Sequence, residues 1–202
     1  MTDSYASIEE LQAHIDASGG VSWNAADLGN MSLALEAATR WLDERTDTNF
    51  RAVSGTRVFT ARFHDWLIID DLVSLTSLKT DDDDDGVYET VWTTGDYRLG
   101  PRNAVARNRP YRDIRCTADG DYAFPTKVRD GVEIVGLFGY STEPPAPIRQ
   151  ACLMLAHRLW LRKDAVFGVA GTPGLGVTVV QAKITADADI LTLLEGIERR
   201  FV

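Results

Sequence analysis

The sequence predicts an α+β fold: a small helical bundle interrupted by an antiparallel β insertion, with a flexible C-terminal segment that ends in a helix. Three observations predict it. Apolar residues recur at helical spacing before residue 50 and again after residue 144. The stretch between is rich in β-branched and aromatic residues and is broken by turn dipeptides. Glycines then gather between Gly168 and Gly176, where regular structure is costly. The expected organisation is 1–49 with 144–166 as the helical core, 50–143 as the β insertion, and 167–202 as linker and terminal segment.

The helices are justified by their ends. Ser7-Ile8-Glu9-Glu10 has the form of a capping box, in which the serine oxygen takes a free amide and Glu10 reaches back to the cap. Ile8, Leu11 and Ile15 share one face, and Gly19-Gly20 stops this short helix. Asn24 with Asp27 repeats the cap. Leu28, Met31, Leu35, Ala38 and Leu42 then form an apolar stripe ending near Thr46. After the prolines 144, 145 and 147, Ile148, Cys152, Leu155 and Leu159 align at helical spacing, with Ala151 and Ala156 beside them. Arg158, Arg162 and Lys163 fall toward the end of that run, where the helix dipole favours cations. Ile190, Leu193, Leu194, Ile197 and Phe201 make an apolar side on the last segment.

Strands are expected at Arg57–Thr60, Trp66–Ile69, Val73–Leu78, Val87–Trp92, Asp96–Leu99, Arg112–Cys116 and Val132–Phe138. Gly95, Gly100-Pro101, Asn108-Arg109-Pro110, Asp119-Gly120 and Asp130-Gly131 supply turns. Asp70-Asp71, between two apolar pairs, reads as a bulge or tight turn.

Composition narrows the function. The 202 residues carry a formal net charge of −9, which argues against a uniformly basic nucleic-acid surface and leaves room for a local patch. Cys116 and Cys152 belong to no CxxC, so neither a disulfide framework nor a zinc site is expected. The opening MTDSYASIEE is acidic and unlike a signal peptide, and no apolar run approaches bilayer length. The expectation is a soluble protein of a reducing compartment, with no membrane partner and no cofactor.

TDDDDDGVYET, from Thr80 to Thr90, is the loudest local signal. Asp81, Asp83, Asp85 and Gly86 match the first half of an EF-hand loop, with Glu89 at its ninth position. The twelfth position, where a bidentate glutamate is required, is Trp92, so a complete EF-hand is not expected. What is left is a solvated hairpin turn or a loop that binds calcium weakly. Asp70 and Asp71 could hold a divalent ion, but no motif places a third ligand. His14, His64 and His157 lie on separate elements. Cys152 and His157 sit five residues apart, on different sides of one helix. The glycine stretch lacks the lysine and hydroxyl of a phosphate loop and reads as a hinge through Gly168, Gly171, Gly174 and Gly176.

Several blocks then occur in a telling order. They are YASIEELQAHI, ALEAATRWLDERTDTNF, LVSLTSLKTDDDDDGVYETVW with DYRLGPRNA, and VEIVGLFGYSTEPPAPIRQACLMLAHRLWLRKD before the glycine stretch. Over nearly its whole length the chain resembles the head–tail connector proteins (adaptor or head-completion proteins) of long-tailed bacteriophages. The resemblance implies a structural virion component, assembled in the host cytoplasm as a ring of twelve copies beneath the portal. Such a ring extends the channel through which double-stranded DNA passes without sequence-specific binding, and it offers a platform to a stopper or tail-completion protein. It further implies that the terminal segment docks on the portal, with Ile190, Leu193, Leu194, Ile197, Arg199, Arg200 and Phe201 as the anchor. The β unit would then project toward the capsid or the adjoining neck protein. An unbroken run of five aspartates is not part of the family's pattern.

Independently of the resemblance, an apolar strip on a glycine leash makes sense if a partner buries it. An acidic channel surface would let DNA slide, and a lumen lined by Arg40, Arg45, Arg158 and Arg162 would not. Two alternatives stay open: a divalent-metal hydrolase using Asp70, Asp71 and Asp81–Asp85, and a calcium-stabilised binding module.

Overall fold

The computed structural model describes residues 4–16, 22–162, 188–195 and 197. The fold is α+β, and the chain forms two units: Met1–Thr48 with Pro145–Val202, and Asn49–Pro144.

In the first unit, α1 spans Ile8–Ile15 and α2 spans Ala25–Thr46. Both N-termini carry the reciprocal caps that the sequence calls for. Glu10 N–H donates to Ser7 Oγ at 3.2 Å and Ser7 N–H to Glu10 Oε2 at 2.8 Å. The amide of Asp27 donates to Asn24 Oδ1 at 2.9 Å. These bonds occupy amides that a helix start otherwise leaves to water. Asp47, in the left-handed region at φ 49°, ends α2 one residue past Thr46. Gly19-Gly20, the expected stop of α1, lies outside the described residues.

The helix α3 spans Ala146–Leu161 and α4 spans Ala188–Leu194. Met31, Ala34, Leu35, Ala38 and Leu42 of α2 are buried, as are Ile148, Ala151, Cys152, Leu155 and Ala156 of α3. The two helices pack on each other, and α3 also receives α1 and α4. Leu28, expected in the buried stripe, is exposed; the stripe starts one turn later, at Met31. Several polar groups meet between the helical segments. Tyr5 N–H donates to Thr39 Oγ1 at 3.1 Å, and Thr39 Oγ1 lies 3.6 Å from Cys152 Sγ. The Tyr5 hydroxyl donates to the Asp43 carboxylate.

The second unit holds one antiparallel sheet. Among the described residues its strands are β1 Val53–Phe59, β2 Trp66–Thr80, β3 Thr90–Val91, β4 Tyr97–Gly100, β5 Tyr111–Cys116 and β6 Val132–Phe138. The order is β1-β6-β2-β5-β4, with β3 paired to the end of β2. The strand β2 replaces two expected strands. Its first part pairs with β5, through Trp66↔Arg115 and Leu67↔Ile114, and the rest pairs with β6.

The inward residues of β2 do not alternate. Leu67, Ile69, Leu72 and Leu78 are buried, and Leu75 packs against the same core. Three of those steps are three residues long, where a flat strand needs two. The ladder absorbs each extra residue. Phe138, Gly136, Ile134 and Val132 of β6 advance by twos and face Leu72, Leu75, Leu78 and Thr80. Register shifts mark the intervals Ile68–Leu72, Leu72–Ser74 and Leu75–Ser77. Bulges of this kind bend a strand and raise its twist while keeping one face inward. Gly136 makes room for this: a Cβ there would sit 2.5 Å from Ser74 O and 2.9 Å from Leu72 Cδ1. A Gly136→Ala variant should therefore lose about 1–3 kcal/mol in urea unfolding, while Gly55→Ala, where a Cβ meets open space, should lose far less.

His14 on α1 and His157 on α3 meet edge to face, with ring centroids 5.4 Å apart. Burial holds the His157 imidazole below its usual value, and His14 and Arg158 add to the effect. The unfolded chain takes up this proton near pH ~6.5 while the fold resists it. The contribution is complete above that pH and drains away as pH falls toward the folded-state value. Thermal unfolding should show a midpoint that rises with pH through this window, and His157→Gln should flatten the rise.

Candidate functional site

The aspartate run forms a loop built around its first member. Thr80 closes β2, and the Asp81 amide donates to Gly131 O at 3.0 Å, which draws the Asp81 side chain under the loop. Asp81 is 3% exposed. Its Oδ1 accepts from the amides of Asp83 at 3.2 Å and Asp84 at 2.8 Å, and its Oδ2 accepts from Gly86 at 2.8 Å. Asp84 at φ 66° and Gly86 at φ 85° supply the left-handed turns that point these amides inward. Burial pushes the Asp81 carboxyl up, and the amide bonds from Gly86, Asp84, Asp83 and Asp85 outweigh it, leaving the group below the usual carboxylate range.

Asp81, Asp83, Asp85 and Glu89, the residues of the EF-hand half-match, each bring one oxygen within 4.8 Å of the others. The geometry departs from that motif elsewhere. Both oxygens of Asp81 already serve backbone amides, and the flanks are strand and loop. Trp92, at the twelfth position, is buried: its ring stacks on Phe124 at 4.7 Å and its Nε1 donates to Thr80 Oγ1 at 3.2 Å. The expected strand Val87–Trp92 is reduced to Thr90–Val91, because β2 ends at Thr80 and pairs with it only through Lys79↔Val91 and Thr80↔Thr90.

Asp96 organises a second turn in the same way. It accepts from Thr93 N–H and Thr93 Oγ1, each at 2.7 Å, and from Asp121 N–H at 3.3 Å. These bonds hold its carboxyl below the ordinary range, against burial.

The other sequence candidates are placed as follows. Asp70 Oδ2 lies 2.5 Å from Arg57 Nη1, and buried Asp71 lies 2.8 Å from Arg112 Nε. Each carboxylate of the bulge thus has its own arginine and they do not converge on a shared position. Cys152 is buried, and burial raises its thiol. His64 belongs to the β unit, and the His14–His157 pair belongs to the helical unit. Ile190 and Leu194 of α4 are buried within the chain's own helical unit, so two residues expected to wait for a partner are already covered on the side of α3. Leu193 and Ile197 are half-buried. Gly168, Gly171, Gly174, Gly176, Arg199, Arg200 and Phe201 lie outside the described residues.

One surface escaped the sequence reading. Residues 101–110 join β4 to β5 as an ordered tip, anchored by buried Ala104 and Pro110. Ala104 N–H donates to Pro101 O at 2.9 Å, and Arg107 and Arg109 N–H both donate to Ala104 O at 3.0 Å. The tip carries Arg102, Arg107 and Arg109, all exposed and, among the described residues, without an ion pair. The signal was there in the run of six arginines between Arg98 and Arg115, whose only acidic interruption is Asp113. The chain's net charge hid it.

No protein-family model matches the chain, and no curated protein matches it. Solved structures do. The chain is similar to a component described as "Virion of native gene transfer agent (GTA) particle", with a TM-score of 0.62 and 21% identity, covering 96% of this chain and 89% of that one. It is also similar to a component of "Neck of empty GTA particle computed with C6 symmetry", with a TM-score of 0.58 and the same identity and coverage. At this identity the likeness establishes a shared fold over nearly the full length of both chains.

Asp81 and Asp96 are depressed in the fold, so their contribution is present above the ordinary carboxylate value near pH ~4 and is lost as pH falls through their folded-state values. Acid unfolding followed by circular dichroism should steepen below that pH. Asp81→Asn should lower the thermal midpoint at neutral pH and speed exchange of the Asp83, Asp84 and Gly86 amides. Asp84→Asn should do neither.

Proposed function

We propose that this chain is a structural component of the neck of a phage-like particle, and within the neck a head–tail connector. The observation that carries the reading is the end-to-end likeness to chains of a gene transfer agent neck and virion. It agrees with the connector resemblance of the ordered sequence blocks. Copies of the chain close into a ring under the portal, extend the channel for double-stranded DNA, and present a platform to a stopper or tail-completion protein. Twelve copies fit a neck computed with C6 symmetry, since twelve is a multiple of six. The role is architectural: the Asp70 and Asp71 carboxylates are spent on arginines and Asp81 on backbone amides.

Portal docking falls to the end of the chain. Because Ile190 and Leu194 are buried on the helical unit, the docking face consists of Leu193, Ile197, Arg199, Arg200 and Phe201.

Negative-stain imaging of the chain mixed with its portal tests this. The intact chain should give a second ring stacked on the portal. A variant with Arg199→Glu, Arg200→Glu and Phe201→Ser should keep its circular dichroism spectrum and lose the stack. No stacked ring with the intact chain would defeat the connector reading; a stack that survives the triple variant would defeat only the docking face.

A further inference from the structure

The arginine tip presents charge that the chain itself does not pair. Of the six arginines between Arg98 and Arg115, Arg112 pairs with Asp71, Arg115 with Asp113, and Arg98 donates to Thr94 O and Tyr97 O. Arg102, Arg107 and Arg109 are left on a short, hydrogen-bonded loop around Val105, which is 66% exposed. Three like charges thus sit on one short loop with no carboxylate of the described residues paired to them.

We propose that this tip is a docking surface for a second copy of the chain, seated on the acidic loop of that copy. The inference rests on the ring reading above and names its subunit contact. Charge and the exposed apolar residues both point to this occupant. Asp82, Asp83, Asp84 and Asp85 are exposed and, among the described residues, no cation pairs with them. The acidic loop, like the tip, carries one exposed valine, Val87 at 55%. Each surface is therefore an apolar point within charge, and the signs are opposite.

Within one chain the two surfaces do not meet. Tyr111, where the tip rejoins the sheet, pairs with Leu72, and the acidic loop begins after Thr80. Eight residues of strand separate them by roughly 20–25 Å. Two different, complementary patches on one rigid unit make a heterologous contact, the kind that closes rings. A nucleic-acid backbone is the less favoured occupant, because a chain of net charge −9 that bears Asp82–Asp85 on the same unit would carry that charge toward the phosphates.

Full-length chain in sedimentation velocity at low and high salt gives the test. The wild type should self-associate, more weakly as salt rises. Variant one (Arg102→Glu, Arg107→Glu, Arg109→Glu) and variant two (Asp82→Lys, Asp83→Lys, Asp85→Lys) should each associate at least about tenfold more weakly. An equimolar mixture should recover association, since each variant then offers what the other lacks. A chain carrying both Val87→Cys and Val105→Cys should form a disulfide ladder on oxidation, and either substitution alone should not.

Failure of the mixture to recover, or absence of the ladder, overturns the proposal. So does a tip variant that self-associates normally but loses a mobility shift with duplex DNA; that result would assign the tip to nucleic acid. Circular dichroism on each variant separates misfolding from lost contact, and the cysteine pair, which leaves every charge in place, stands even if a charge variant misfolds. If the tip variant still stacks as a ring on the portal, the subunit contact is wrong and the connector reading survives. If the wild type neither associates nor stacks, both fall.

Discussion

The β unit hangs on one strand. β2 runs unbroken from Trp66 to Thr80 and is shared between β5 at its start and β6 over the rest, so the two halves of the sheet have no other common member in the ladder. It can serve both only by bending, and it bends by carrying extra residues. Each extra residue breaks a ladder position, and an orphaned polar group in a core is costly. The first bulge is therefore the most heavily supported: Asp71 O accepts from Gly139 N–H at 2.7 Å while the Asp71 carboxylate holds Arg112. Arg57 holds Asp70 and also lies over the Phe138 ring at 4.4 Å. A pair of charges half out of water costs less than a buried one, and here the geometry ties β1, β2 and β5 to a single corner.

That corner explains where the charged features stand. The arginine tip leaves the sheet beside Leu72, and the acidic loop leaves it after Thr80, so the bulged half of β2 sets the distance between them. Their own backbones are fixed as well. Ala104 O gathers two amides under the tip, and the Asp81 carboxylate gathers three under the loop. Charge is thereby presented on rigid supports, which suits the proposed contact between two different surfaces of neighbouring copies. The acid run looked like a cation loop because its first carboxylate is in the right register; folding uses that carboxylate as a keystone for its own turn.

Much of the fold could be read from the residues because its signals are local. Caps at Ser7 and Asn24, the β-branched and aromatic run of Val132–Phe138 and the prolines before α3 each act within a few residues. The unity of β2 could not be read this way. Leu72, Leu75 and Leu78 repeat every three residues, a period foreign to strands, and only pairing with β6 turns it into one face. The His14–His157 contact and the burial of Ile190 and Leu194 were invisible for a related reason. Periodicity reveals that a helix has an apolar side but not which neighbour covers it. The arginine tip was missed because net charge averages over a molecule whose two signs are kept apart.

Amide hydrogen exchange on the native chain tests the shared strand most directly. If β2 holds both halves of the sheet through its supported bulge, the slow amides of β5 and β6 should exchange with the same free energy, equal to that of global unfolding of the unit. Exchange of β4 and β5 through a partial opening that leaves β6 protected would contradict the account, and with it the fixed spacing of the two charged surfaces.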